Sequence, residues 1–294
     1  MKFGKVEDPS LIDFTLPPVP PLKSSLINGN EQNNPFEVFV GCAKWNKTDL
    51  KGFYPKGTKD ELVYYAKQFN SIELNATFYS APSKDQVAKW KEKTPAYFKF
   101  FPKIPQSISH YSRLLNVYDK VLSFTDALSF FEEQLGMVFL QVHDNFKPKD
   151  FDRLKAFIGD FPKGYPLAVE VRNKEWFNNE ELFHDYCSFL EQNNVTNIIV
   201  DTAGRRDMLH MKLTTNTAFV RYVGANHPSD YQRLDDWLNV IVQWRKEGLQ
   251  KLYFFIHQNI ELESPLLATY FIQKLNKIFD LDIPYPGNDN PTLF

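Results

Sequence analysis

The sequence predicts an α/β fold of the (β/α)8, TIM-barrel type, with eight parallel strands and an irregular N-terminal extension. Three observations lead there. Short β-rich apolar runs recur eight times along the chain, and most of the gaps between them carry helical periodicity. Eight such units over about 255 residues also match the size of that barrel. Strands that alternate with helices pair in parallel, because a parallel connection needs a crossover. A doubly wound open sheet competes, but it usually has fewer strands, and a dinucleotide binder of that type shows a glycine-rich turn after its first strand. Here that turn reads "GCAKWNKTD", and no GxGxxG or GxxxxGK[ST] occurs.

Residues 1–35 read as an extended or flexible lead-in, since "PPVPPLKSSLINGNEQNNP" is rich in Pro, Asn and Ser and has no period. Residues 36–294 read as a single barrel domain, although the tail "YPGNDNPTLF" resembles the lead-in in composition. The strand runs are "EVFVGC" (37–42), "SIELNATFY" (71–79), "YFKFFPKI" (97–104), "MVFLQV" (137–142), "LAVEVR" (167–172), "NIIVDT" (197–202), "AFVRYVG" (218–224) and "KLYFFIH" (251–257). Capping boxes at Thr58–Glu61 and Ser83–Gln86 open the first two helices. A helix over 119–135 stops at Gly136, a C′ glycine. Apolar stripes at Phe151–Ile158, Leu182–Leu190 and Leu234–Ile241 give three more, and Ser264–Pro265 starts the last. The gap 203–217 supports only a short helix.

The bulk properties are those of a globular chain: 294 residues, 43% hydrophobic, 24% charged. A net charge of −2 provides no field that would draw a nucleic acid or an anionic membrane, and no apolar run reaches the ~18 residues of a membrane span. Cys42 and Cys187 are isolated, with no zinc spacing, and the first residues lack an apolar signal core; both point to the cytoplasm.

Function is read from the strand ends. In "SIELNATFY", Glu73 and Asn75 leave the strand on one face. Every other strand but the first also ends in polar groups: Lys103; Gln141 and His143; Glu170 and Arg172; Asp201; Arg221; His257, Gln258 and Asn259. Burying such charges for stability alone is expensive, and barrel enzymes place their sites at this end. The expectation is an enzyme for a small polar, anionic metabolite. Glu73 or Glu170 would act as acid or base, while Lys103, Arg172 and Arg221 would hold a carboxylate or phosphate. Asn75 and Gln141 would orient the substrate, with Tyr79, Asp201 and His257 beside them. Trp45 and Trp176 could stack on a ligand or merely cover the core. His110 and Arg113 could meet an anion. "GANHPSDY" could lend backbone N–H groups to a phosphate. No cofactor is assigned, and no residue is assigned to a metal.

Three alternatives stay open. Glu73, Glu170, Asp201 and His257 could converge on a divalent ion in a hydrolase or isomerase. Glu73 and Glu170 could face each other as a glycosidase pair. The basic and aromatic residues could bind a nucleotide or single-stranded nucleic acid without catalysis, although the net charge makes nucleic acid the weaker partner. The oligomeric state is not legible.

Six ordered stretches, "VGCAKWNKTDLKGFYPKG", "FNSIELNATFYSAPS", "WKEKTPAYFKFFPKIPQSISH", "LGMVFLQV", "LAVEVRNKEWF" and "FVRYVG", resemble the DUF72 family of YecE-like proteins over Val38 to Asn259. The resemblance implies a TIM barrel and no settled reaction. It marks Trp45, Tyr54, Pro55, Glu73, Asn75, Phe78, Tyr79, Lys103, His110, Gln141, Glu170, Arg172, Trp176, Asp201 and Arg221 as motif positions. The chain departs from the pattern at His143–Asp144, where the family often has proline, and at Ile256–Asn259, where it usually has an aromatic-Asn end.

Overall fold

The computed structural model describes residues 4–23, 26 and 35–287. All eight apolar runs contain strands: β1 (Glu37–Cys42), β2 (Ser71–Leu74), β3 (Lys99–Pro102), β4 (Val138–Gln141), β5 (Leu167–Glu170), β6 (Thr196–Thr202), β7 (Thr217–Gly224) and β8 (Lys251–Gln258). Helices fill the connections: α1 (Glu61–Gln68), α2 (Ala76–Tyr79), α3 (Lys84–Glu92), α4 (Tyr118–Leu128), α5 (Phe151–Asp160), α6 (Glu180–Gln192), α7 (Ser229–Lys246) and α8 (Ser264–Phe279). Every strand pair is parallel.

The sheet is not one continuous ladder. Six strands form a parallel half-barrel in the order β1-β8-β7-β6-β5-β4, and β2 and β3 form a separate pair. Two isolated bridges, Phe100 with Leu135 and Lys103 with Phe139, join β3 to the β4 segment. Gly136 lies at this seam: a Cβ there would fall 2.6 Å from the Phe101 ring, so close packing rather than a helix C′ role requires glycine. Side chains stitch the β1–β2 seam. The Asn70 amide accepts from Val40 N at 2.9 Å and donates to Val38 O at 2.8 Å. The Tyr65 hydroxyl accepts from Cys42 N at 2.7 Å and donates to Ser71 O at 3.1 Å. Between them, a Cβ on Gly41 would meet the Ser71 carbonyl oxygen at 2.1 Å.

Several elements differ from expectation. The second strand stops at Leu74, and the Asn-Ala-Thr-Phe-Tyr that follows turns into α2; Thr77 Oγ1 fastens that turn to Leu74 O and Lys103 O at 2.9 and 2.7 Å. Helix α1 is capped by Asp60, which accepts from Leu62 N and Val63 N, and Thr58 bonds Pro55 O instead. The helix expected over 119–135 ends at Leu128 and continues as a 3-10 turn interrupted at Glu132, where φ is +50°. The gap after β6 holds a 3-10 turn, Ala203–Met208.

The extension is extended over residues 4–23 apart from a short turn at Pro9–Leu11, and several contacts tie this stretch to the body. Gly204 N donates to Gly4 O at 2.8 Å; the Phe14 ring lies 4.3 Å from the Arg233 guanidinium; Leu22 N donates to Glu247 at 2.9 Å; Lys23 pairs with Glu191 at 2.5 Å. Residues 1–3, 24–25 and 27–34 of the extension, and 288–294 of the tail, lie outside the described residues.

A parity rule positions the site. Phe101, Phe139, Ala168, Phe219 and Phe255 belong to one buried cluster on the concave side of the strands, with Phe101 and Phe255 centroids 4.8 Å apart. Strand side chains alternate, so residues two further along share that side. Those residues are Lys103, Gln141, Glu170, Arg221 and His257. An aromatic plug thus ends in a polar layer at the carboxyl ends of the strands.

Candidate functional site

At the centre of the polar layer the Arg221 guanidinium bridges two carboxylates. Its Nε and Nη2 reach Glu73 at 2.9 and 2.8 Å, and its Nη1 reaches Glu170 at 2.5 Å. Glu73 also accepts from Asn75 Nδ2 at 2.7 Å and contacts His257 Nε2 at 3.0 Å. Glu170 also accepts from Arg172 Nε at 2.5 Å. Lys103 Nζ donates to Gln141 Oε1 at 2.8 Å, and Gln141 lies 3.4 Å from Arg221. Glu73 and Glu170 are at most 1% exposed, and Arg221 is 2% exposed. Six strands or strand ends therefore contribute to one connected network.

Above this floor lies a cleft of about 320 Å³ lined by Asn75, Phe78, Tyr79, Lys103, His110, Gln141, His143, Arg172, His257 and Glu261, with Ala43, Lys44, Gln106 and Asp144 at its edges. A larger hollow of about 550 Å³ sits at the opposite, amino ends of the strands. Its acidic and basic side chains, Glu37, Lys99, Lys163 and Lys251, are all at least partly exposed, and burial lowers the Lys99 amine from its ordinary value.

The electrostatics separate the titratable groups. Burial alone would raise both carboxyls, but opposite charge wins. Arg221 and His257 hold Glu73 well below the ordinary carboxylate range, and Arg172, Arg221 and Lys103 pull Glu170 down to about 2. Lys103 moves the other way: burial, then the Arg221 and Arg172 guanidiniums, bring its amine down to about 7. Burial opposes charge on His257, yet Glu73 and Glu261 raise it to about 8. Burial and His143 lower His110 to about 4, and its ring packs edge-on against Phe78 at 4.9 Å and His143 at 5.1 Å. The two carboxyls expected to act as acid or base are held as anions, and the groups that titrate near neutrality are an amine and an imidazole.

Several expected site residues lie elsewhere. Asp201 is buried on the outer side of β6, where Arg206, Arg233 and Trp237 Nε1 hold it against α7. It follows Val200, which faces the plug, and so falls on the opposite parity. Trp176 is fully buried, donates to Phe146 O at 2.9 Å and packs edge-on to Phe151. Trp45 packs on Trp90 at 6.1 Å. Neither tryptophan faces the cleft. Arg113 turns to Asp150 and Asn145 at 3.1 and 2.6 Å. The N–H groups of "GANHPSDY" are already used: the Asp230 carboxylate accepts from Ala225 and His227, and Gln258 accepts from Asn226. Arg221, expected to bind substrate, spends its guanidinium on Glu73 and Glu170. Phe78, His143 and Glu261 join the cleft. His143 sits two residues after Gln141 and was legible by parity, whereas Glu261 lies beyond the last strand and carried no signal.

Among the described residues, no three or more His, Cys, Asp or Glu side chains are grouped to hold a metal ion. No helix of the described chain is long and apolar enough to cross a membrane.

Several known proteins are similar to this chain over most of its length. The UPF0759 protein YecE of Escherichia coli (strain K12) is 27% identical over 262 residues, covering 82% of this chain and 93% of that protein. The UPF0759 protein YunF of Bacillus subtilis (strain 168) is 25% identical over 241 residues, covering 76% and 80%. Among solved structures, a DUF72 family protein from Thermotoga maritima superposes with a TM-score of 0.66 at 26% identity, covering 82% of this chain and 99% of that one. One from Enterococcus faecalis superposes at 0.68 with 18% identity, covering 83% and 96%. The profile of the family described as "Protein of unknown function DUF72" matches residues 39–287, nearly the whole sheet-and-helix body described above, and the chain belongs to that family.

Proposed function

We propose that the cleft is the active site of an enzyme acting on a small polar metabolite that bears a carboxylate or phosphate. One observation carries this reading: charged and amide side chains from β2, β3, β4, β5, β7 and β8 meet at the floor of a single open cleft. Arg172 lines that cleft and meets the anion, since a guanidinium offers a fork suited to carboxylate or phosphate. Arg221 sets the field by neutralising Glu73 and Glu170. Proton transfer falls to Lys103 and His257, because a group that titrates near the working pH combines population with driving force. The same reading takes the half-barrel and the β2–β3 pair as one (β/α)8 barrel, a single domain over residues 36–294 that follows an N-terminal extension, 1–35. The two β3–β4 bridges and the Asn70 and Tyr65 stitches support closure.

The alternatives find less support. A metal site would need Asp201, which faces α7, and carboxylate oxygens that Arg221 and Arg172 already occupy. A glycosidase needs one carboxyl kept protonated, whereas one guanidinium holds both Glu73 and Glu170 ionised.

Thermal-shift screening against carboxylated and phosphorylated metabolites tests the proposal. Stabilisation that falls with salt and disappears in Arg172→Met is expected. Silence across the whole panel overturns it.

A further inference from the structure

We propose that Lys103 is a covalent nucleophile whose amine condenses with the carbonyl carbon of a small 2-oxo acid in the cleft, forming an imine. This rests on the anion-binding reading of the same site and deepens it to a substrate class.

Lys103 follows β3, is 5% exposed and is one of the residues lining the cleft, and its backbone N bonds Leu74 O at 3.3 Å. The chain fixes that position firmly, since Thr77 Oγ1 donates to Lys103 O at 2.7 Å. A buried lysine that serves structure pairs with a carboxylate. Lys103 has two carboxylates in its neighbourhood, yet Arg221 and Arg172 have taken them. Among the described residues its Nζ forms no ion pair; it donates to the neutral Gln141 oxygen and lies 4.2 Å from the Phe78 ring centroid. Burial makes its charged form unfavourable, and the two guanidiniums nearby add to this. A neutral amine desolvated beside cations is the state that attacks a carbonyl.

The neighbours fit each step. Arg172 receives the carboxylate of the 2-oxo acid, which places the adjacent carbonyl over the floor of the cleft. The Nζ lone pair forms the C–N bond as the carbonyl π bond opens onto oxygen. One proton leaves nitrogen and one reaches oxygen, giving a carbinolamine. His110, neutral at physiological pH, accepts, and His257, largely protonated there, donates. His110 returns the proton it took to the carbinolamine hydroxyl, which leaves as water while the nitrogen lone pair closes C=N. The iminium then gives its remaining N–H proton to His257, which had donated its own, and the neutral imine results. Amine and ketone thus become imine and water with no oxidant or reductant. Glu170 and Glu73 ease the passing iminium charge, but burial and the two guanidiniums outweigh them at this nitrogen, so the neutral imine is the favoured product.

The test uses glyoxylate and pyruvate with sodium borohydride on the intact protein at near-neutral pH, read by intact mass and peptide mapping. A single reduced adduct localised to Lys103, saturable in the oxo acid and absent in Lys103→Arg, is expected. Adducts at surface lysines should form about tenfold more slowly, or more slowly still. No Lys103 adduct with either acid overturns the proposal, as does labelling spread evenly over surface lysines. Because the adduct is mapped on the wild-type chain, a poorly folded variant cannot produce the answer. Thermal shifts by non-carbonyl anions such as acetate and phosphate report the anion reading separately. Shifts without an adduct sink the imine alone, whereas an adduct without any anion-induced shift supports the nucleophile and sinks the anchor.

Discussion

Replacing Arg221 by Met tests the central electrostatic argument most directly. The change keeps the approximate length of the side chain and removes the bridge between two buried carboxylates. The Glu170 carboxyl titrates at about 2 against an ordinary 4.5, with burial opposing and Arg172, Arg221 and Lys103 prevailing. A difference of that size corresponds to about 3 kcal/mol favouring the ionised form in the folded protein. Because the folded value is the lower one, this stability is fully present above pH 4.5 and is lost as pH falls toward 2. Arg221 supplies part of it, and in its absence Glu73 is left, among the described residues, with His257 as its ion-pair partner. Removing one partner from a buried pair typically costs about 3–5 kcal/mol. We expect Arg221→Met to lose that much at pH 7 in urea titration, with a fall in Tm of about 6 °C or more. The deficit should shrink toward pH 4, where the uncompensated carboxyls take up protons and cease to be buried charges. A loss below about 1 kcal/mol, or one equal at pH 7 and pH 4, would refute the argument.

Other consequences are as direct. Tyr65→Phe removes both bonds of the β1–β2 stitch and leaves Cys42 N–H buried without a partner; it should cost about 1–3 kcal/mol in denaturant titration, and an effect below 0.5 would show that the seam holds without it. Gly41→Ala drives a methyl into the Ser71 carbonyl and should destabilise by about 2 kcal/mol or more; a neutral result would show that the two strands can part. Trp176→Phe should lower stability by about 2 kcal/mol, through the lost bond to Phe146 O and the cavity, while leaving any anion-induced thermal shift unchanged. A shift that vanished would restore Trp176 to the ligand. Lys103→Met should stabilise the fold at pH 6, where a buried ammonium is costly, and lose that advantage as pH rises past 10; a constant difference across that range would contradict an amine titrating near 7.

By itself the sequence determined the strands, their parallel pairing and which residues would stand at the carboxyl ends. These follow from two local regularities: apolar runs bounded by turn residues, and a side-chain period of two. The same period, applied from Phe101, Phe139, Phe219 and Phe255, points to Lys103, Gln141, Arg221 and His257. It did not separate Asp201 from them, because β6 reads "NIIVDT". A strand buried on both sides is apolar at both parities, so nothing local says which side is concave. The extent of β2 was also undecided locally, since the turn into α2 is fastened by Thr77 to the carbonyl of Lys103, 26 residues away. The partnerships belong to the tertiary structure alone. Arg221 lies 148 residues from Glu73 and 51 from Glu170, and that choice of partners holds both carboxyls as anions and leaves the Lys103 amine on the neutral Gln141 oxygen. Charge states in a buried cluster depend on distances among all its members, and a one-dimensional pattern carries no such distances.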